Sequence, residues 1–301
     1  MTGTALLAVM AGGSALGAQL LTRARWTWRT PRTAIALWQA LGLAWGLASI
    51  GTLVGFGVAP YGQGVILGVA RFFENPGVLS SLQLTAVAAG LTLAFLLVGV
   101  LLIAIAGVVR ARRRHRALLA LVAHGDPEVP GTLVVDHPAA AAYCVPGMRS
   151  QVVVSAGTLA LLGPYELAAV LAHERAHARE RHDLVLLPFT SLRRILPQSR
   201  IVARTLDAVE LLIEMAADDR ALRQRPAKEL ATALLRFASA GSPPSPAGTL
   251  GVIGADETSP ILVRVRRLLA PAPLPRPMRG AMLAGATLVA AVPLILYTIP
   301  A

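Results

Sequence analysis

The sequence predicts an α-helical membrane protein with four transmembrane helices and an α+β domain inserted between the third and fourth spans. Three observations carry this reading. Apolar residues make up 55% of 301, and the mean hydropathy is +0.62, more apolar than an ordinary soluble domain. These residues gather into four charge-free runs. One long polar stretch, residues 110–278, lies between the third run and the last, and its patterning alternates between strand-like and helix-like.

The runs are residues 5–21, 34–58, 84–109 and 281–299. A bilayer core takes about 20 apolar residues in a helix. The second and third runs exceed that, and the first and fourth are near it. The first is read as a retained span and not a signal peptide, because its positive charges follow the apolar run instead of preceding it. The domains expected are therefore three spans within 1–109, a polar domain over 110–278 and a fourth span within 279–301.

Arginine placement orients the chain. Arg23, Arg25, Arg29 and Arg32 fill the first connection, and Arg110, Arg112, Arg113, Arg114 and Arg116 follow the third span. The second connection, 59–83, holds only Arg71, beside Glu74. Positive loops stay in the cytoplasm. Both termini are then expected outside a cell membrane crossed four times, with the polar domain in the cytoplasm. These clusters contribute strongly to the net charge of +12, and anionic lipid headgroups are their expected partner. Direct nucleic-acid binding is not expected. Cys144 is the only cysteine, so no disulfide closes within the chain, and a small buried hydrophobe is the expected role.

Within the polar domain, residues 111–123 continue the third span as helix until Gly125-Asp126-Pro127 breaks it. Short β-type runs at 132–135, 141–145 and 151–154 alternate with turn residues and predict a small antiparallel sheet. Ser155 is placed to cap a short helix reaching Leu162, and Pro164 opens the next. Residues 184–196 are apolar but too short to span, fitting the bilayer surface or the core. A long helix follows over about 200–223, then a Pro/Ser/Gly loop at 241–248, a helix at 258–269 and a stiff proline linker at 271–277.

The helix opened by Pro164 carries His173-Glu174-Arg175-Ala176-His177. Residues i and i+4 share a helix face, so His173 and His177 can grip one metal ion, with Glu174 placed as general base. With six histidines and nine glutamates in the chain, chance gives this pattern in only a few chains per thousand, by a rough count. A hydrolytic zinc site needs a third protein ligand and an open position for water. Glu214 is the first choice for that ligand, with Glu210 its rival one turn earlier. Asp218 shares the face of Glu214 and is placed to hold a ligand histidine by its second nitrogen. His182 and Asp183 are further candidates, for transition-state stabilisation or support of the ligands, with a local helix-end role as the alternative. The strand Gln151, Val152, Val153 and Val154 is the candidate edge for an extended substrate.

The run Ala142-Tyr143-Cys144-Val145-Pro146-Gly147, then residues 152–156 and 166–183, resembles the BlaR/MecR-type membrane zinc metallopeptidases. Glu214-x-x-x-Asp218 is similar to that family's second motif, which it shares with the Ste24/HtpX-type membrane proteases. The resemblance implies a zincin-like (gluzincin) protease domain holding one Zn2+ through His173, His177 and Glu214, with Glu174 as base and Asp218 behind the ligands. It also implies a substrate: a cytoplasmic winged-helix repressor of the BlaI/MecI type, whose cleavage relieves repression. The best-known members continue into an extracellular penicillin-binding sensor. The sequence in hand runs to Ala301, so the short, sensorless form is expected, with the signal entering through 59–83, the spans or a partner. A homodimer is compatible with this layout. Two rivals stand beside it: an HtpX/Ste24-like quality-control protease and a non-catalytic membrane receptor holding zinc structurally. The intact base Glu174 speaks against the latter.

Overall fold

The computed structural model describes residues 2–127, 129–147, 150–241 and 259–299. It is mostly helical and forms two compact units. The first unit comprises Met1–Ile103, Pro188–Val209 and Leu274–Ala301, and the second Ala104–Leu187 and Glu210–Pro273.

Four helices are long and apolar enough to cross a membrane. They are α1 (Thr2–Leu21), α2 (Pro31–Val58), α4 (Ser81–Val122) and α11 (Arg276–Leu296). Each contains one of the expected apolar runs or most of it. The first unit is held together by Leu7 of α1, Ala48, Val54 and Val58 of α2, Val87 of α4 and Leu296 of α11. Residues 65–74, read from sequence as loop, form a short amphipathic helix α3 (Val65–Glu74) that adds Val65 to that core. Tyr297 closes the unit by donating its hydroxyl to the Leu47 carbonyl at 2.6 Å.

Helix α4 runs unbroken for 42 residues. At 1.5 Å per residue that is about 63 Å, twice what a bilayer core needs. Its last turns are therefore available for packing. In the second unit, Leu119 packs on Val145 and Val153, with Ala123, Leu133, Val135 and Tyr143 around them. That is one face of a four-stranded sheet made of β1 (Ala123–Gly125), β2 (Thr132–Val135), β3 (Ala142–Val145) and β4 (Gln151–Ser155). The other face, with Val134, Val152 and Val154, packs on Leu171 of α6 (Pro164–Glu180).

The sheet order corrects two expectations. It is β1-β2-β4-β3, and β2 pairs with β4 in parallel, so the sheet is mixed and not antiparallel. The chain leaving β2 skips one strand position to lay down β3, and β4 returns between them. The strand Gln151, Val152, Val153 and Val154 is therefore internal, paired on both sides, and has no free edge for a substrate. The edges are β1 and β3. Consecutive valines suit this place, because an internal strand covered on both faces has no polar side to show.

Ser155 caps α5 (Ala156–Leu161) as expected, accepting from the Thr158 N–H at 3.1 Å. Its hydroxyl also donates to the Ala139 carbonyl at 2.8 Å and accepts from the Ala141 N–H at 2.9 Å. One side chain thus ties the β2–β3 crossover to the end of β4. Ser155→Ala leaves buried backbone groups unpaired and is expected to cost about 1–3 kcal/mol. A denaturant melt checks this; an unchanged midpoint contradicts it.

Beyond α6, the chain forms α7 (His182–Ile195), α8 (Arg200–Ala221), α9 (Ala227–Ser239) and α10 (Pro260–Leu269). The sequence reading did not anticipate α9. Its apolar stripe Leu230, Leu234 and Phe237 is buried. Leu230 and Leu234 join Ala169 and Ala172 of α6, Ala221 of α8 and Ile261, Val265 and Leu268 of α10 in one core. The small alanines on α6 and α8 let helix backbones approach closely. Most of the expected loop at 241–248 lies outside the described residues.

Candidate metal centre

Helix α6 starts at Pro164, and the Gly163 N–H donates to Glu166 Oε2 at 2.8 Å, which satisfies one of the free donors at the helix start. From Ala169 to His177 the helix is buried nearly all round, with only Arg175 exposed. His173, Glu174 and His177 are all inside, less than a tenth exposed. Polar groups stay buried only when something satisfies them.

The third member comes from α8. His173 Nε2 and His177 Nε2 lie 3.1 Å apart. Glu214 Oε2 is 3.3 Å from His173 Nε2, and Oε1 is 3.4 Å from His177 Nε2. Tetrahedral zinc bound at about 2.0–2.1 Å sets its ligand atoms about 3.3 Å apart. The His173–His177 separation is close to that edge, and one ligand atom from each of the three residues lies within 4.8 Å of the others. Glu214 Oε1 is buried and accepts no hydrogen bond among the described residues. Two imidazole nitrogens and a free carboxylate oxygen converging on one point are a donor set for zinc. Among the described residues, this is the one group of three or more such side chains with converging ligand atoms, and Glu210 is not in it.

Residues 108–239 match the model of peptidase family M48. The matched segment covers the sheet, α6, α8 and the three converging residues, and the match supports a zinc metallopeptidase. No curated protein and no solved structure matches the chain.

Both histidines of this group have a partner behind them. His173 Nδ1 lies 3.0 Å from Asp218 Oδ1. His177 Nδ1 lies 3.0 Å from His182 Nδ1, and His182 Nε2 lies 3.3 Å from Glu180 Oε2. This second contact depends on Arg181, which ends α6 in the left-handed conformation at φ 48°. The reversal there starts α7 and folds His182 back onto the preceding turn. His182 therefore lies directly behind His177. Asp183 takes another path and pairs with Arg112 of α4. Cys144 is buried on β3, and its backbone donates a hydrogen bond to Glu174. Burial pushes its thiol up to about 12, so it holds its proton at neutral pH.

One residue of the site was missed from sequence. Arg264 of α10 donates from Nε and Nη2 to the two oxygens of Asp218, at 2.9 and 2.7 Å. Its Nη1 reaches Glu214 Oε2 at 2.7 Å. The signal was present: Ile261, Arg264, Val265 and Leu268 follow i, i+3, i+4, i+7, which puts this arginine on the apolar face of its helix.

The electrostatics separate the roles. Burial lifts the Glu174 carboxyl to about 8, opposed by His173 and assisted by Glu214. Burial would also raise Glu214, but Arg264, with His177 and His173, outweighs it and holds the carboxyl well below the usual range. Asp218 is likewise raised by burial and pulled down further by Arg264, to about 2. For His173, burial lowers the imidazolium, yet hydrogen bonds to Asp218 and Glu214 overcome this and lift it to about 9. Burial drives His177 down to about 3.

At pH 7 the metal-free site carries a proton on His173, which zinc must displace. Affinity is expected to rise about tenfold per pH unit for each displaced proton, from pH 6 up to about 9. Chelator competition across that range measures it, and a flat profile contradicts it.

Proposed function

We propose that this chain is a multi-pass cell-membrane zinc endopeptidase. Its second unit faces the cytoplasm and cuts a winged-helix repressor of the BlaI/MecI type, so that cleavage relieves repression. The observation that carries the peptidase reading is the convergence of His173, His177 and Glu214 beside a buried Glu174. The arginines on the last turns of α4 support the cytoplasmic side. The repressor substrate rests on the resemblance of Tyr143–Asp183 to BlaR/MecR-type enzymes, and this run builds β3, β4 and α6.

Zinc held by the three ligands would supply a Lewis acid and a water made acidic near neutral pH. The chain's own residues do the rest. Glu174 accepts the proton of the attacking water and returns it to the leaving amine nitrogen. Asp218 and His182 keep the outer nitrogens of His173 and His177 occupied, so Nε2 of each faces the centre. The edge strand β3 takes the place first assigned to Gln151–Val154. It lies beside Glu174 and can receive an extended peptide by strand addition.

A second reading, quality control of the HtpX/Ste24 kind, draws on the M48 match and on Glu214-x-x-x-Asp218. In those relatives spans separate the histidine helix from the third ligand. Here that interval holds α7, of 14 residues, which at about 21 Å does not cross a bilayer. Co-expression of a candidate repressor with the wild type or with Glu174→Gln tests the assignment. Cleavage by the wild type alone supports it. Intact repressor together with loss of a misfolded membrane protein points to quality control.

A further inference from the structure

We infer that Arg264 is a positioning residue of the metal centre, aiming Glu214 so that it offers the ion one oxygen only. The inference rests on the metallopeptidase reading but not on any substrate. Arg264 lies in α10, beyond the matched segment 108–239. It is 2% exposed, among the most deeply buried side chains of the chain. A guanidinium in that position persists only if its donors are paired.

The pairing is specific. The planar fork spans two carboxylates: Nε and Nη2 on Asp218, and Nη1 on Glu214 Oε2. Lysine, a point charge on a flexible stem, cannot hold both in fixed relation. With Oε2 engaged, Oε1 is left as the buried oxygen without a hydrogen bond. Arg264 also reaches the histidine pair indirectly, because Asp218 Oδ1 is shared with His173 Nδ1 at 3.0 Å. One side chain thus sets two of the three ligands. Without it, Glu214 is free to turn both oxygens to the ion and to fill the position a hydrolytic site keeps open for water.

The test uses the full-length chain in lipid nanodiscs, loaded with cobalt(II) as a spectroscopic stand-in for zinc. Arg264→Gln removes charge and fork, and Arg264→Lys removes the fork alone. Circular dichroism confirms folding of each. We expect Arg264→Gln to weaken zinc about 10–100-fold in chelator competition. The cobalt visible bands of both variants should lose intensity as coordination rises above four, a change that a merely structural arginine does not cause. Unchanged bands and affinity in Arg264→Gln overturn the proposal, and so does full recovery of both in Arg264→Lys, because charge alone then suffices. If neither variant folds, Arg264 is a core strut and the proposal also falls. Wild type that binds no cobalt removes the metallopeptidase reading itself. Failure to cut a repressor leaves this inference standing.

Discussion

Glu174→Gln is expected to abolish peptide hydrolysis while zinc stays bound. The amide has the shape of the carboxylate and can still accept the bond from the Cys144 backbone, so the site keeps its geometry. It cannot take up a proton. General-base catalysis contributes about 10²–10⁴-fold, so the turnover lost is at least of that order. Stability should move the other way. Burial makes the Glu174 carboxylate costly to ionise, and its folded value of about 8 lies above the ordinary carboxyl value. The sign follows: such a group favours the folded state while protonated, and that contribution is lost as pH rises from about 5 through 8. The glutamine stays neutral throughout, so the metal-free variant should melt no lower than the wild type at pH 8. Zinc content, cleavage rate and melting temperature measured together check this. Residual cleavage at the wild-type rate would remove Glu174 from the mechanism.

Glu214→Gln is expected to lose zinc and stability together. The substitution withdraws the ligand charge and leaves Arg264 with one carboxylate, Asp218, in place of two. Zinc affinity should fall at least about 100-fold, more than the loss of a supporting contact costs. The Glu214 carboxyl is held below its ordinary range by Arg264, so its stabilisation is present at neutral pH and lost as acid protonates it. Breaking a buried ion pair costs about 3–5 kcal/mol when nothing replaces the partner. Asp218 remains here, so the cost at pH 7 should be at the low end, about 3 kcal/mol or less. Glu210→Gln is the control, since Glu210 is not among the converging residues, and it should leave zinc affinity unchanged.

The site was legible where local periodicity fixes geometry. His173 and His177 meet because they are four residues apart on one helix, and Glu214 with Asp218 follows the same rule. Ser155 was legible because a cap acts within three residues. The four helices long and apolar enough to cross a membrane were legible from length and apolarity alone. The sheet was not, because its order depends on which strand returns between which others, and no local residue dictates that. The valines at 152–154 held a clue: three in succession suit a strand buried on both faces, which argues against an edge. Arg264 was obscured because Arg266 and Arg267 follow it closely, and only helical phase separates the buried one from its neighbours. Its partners lie 46 and 50 positions earlier in the chain, beyond the reach of any local rule.

X-ray absorption at the zinc edge, on the purified full-length chain, tests the central claim most directly. The expected result is about one zinc per chain with two imidazoles and one carboxylate oxygen at about 2.0–2.1 Å. The signal should persist in Glu174→Gln and disappear in Glu214→Gln. A wild-type chain without zinc, or with zinc bound equally well in Glu214→Gln, would contradict a catalytic centre built from His173, His177 and Glu214.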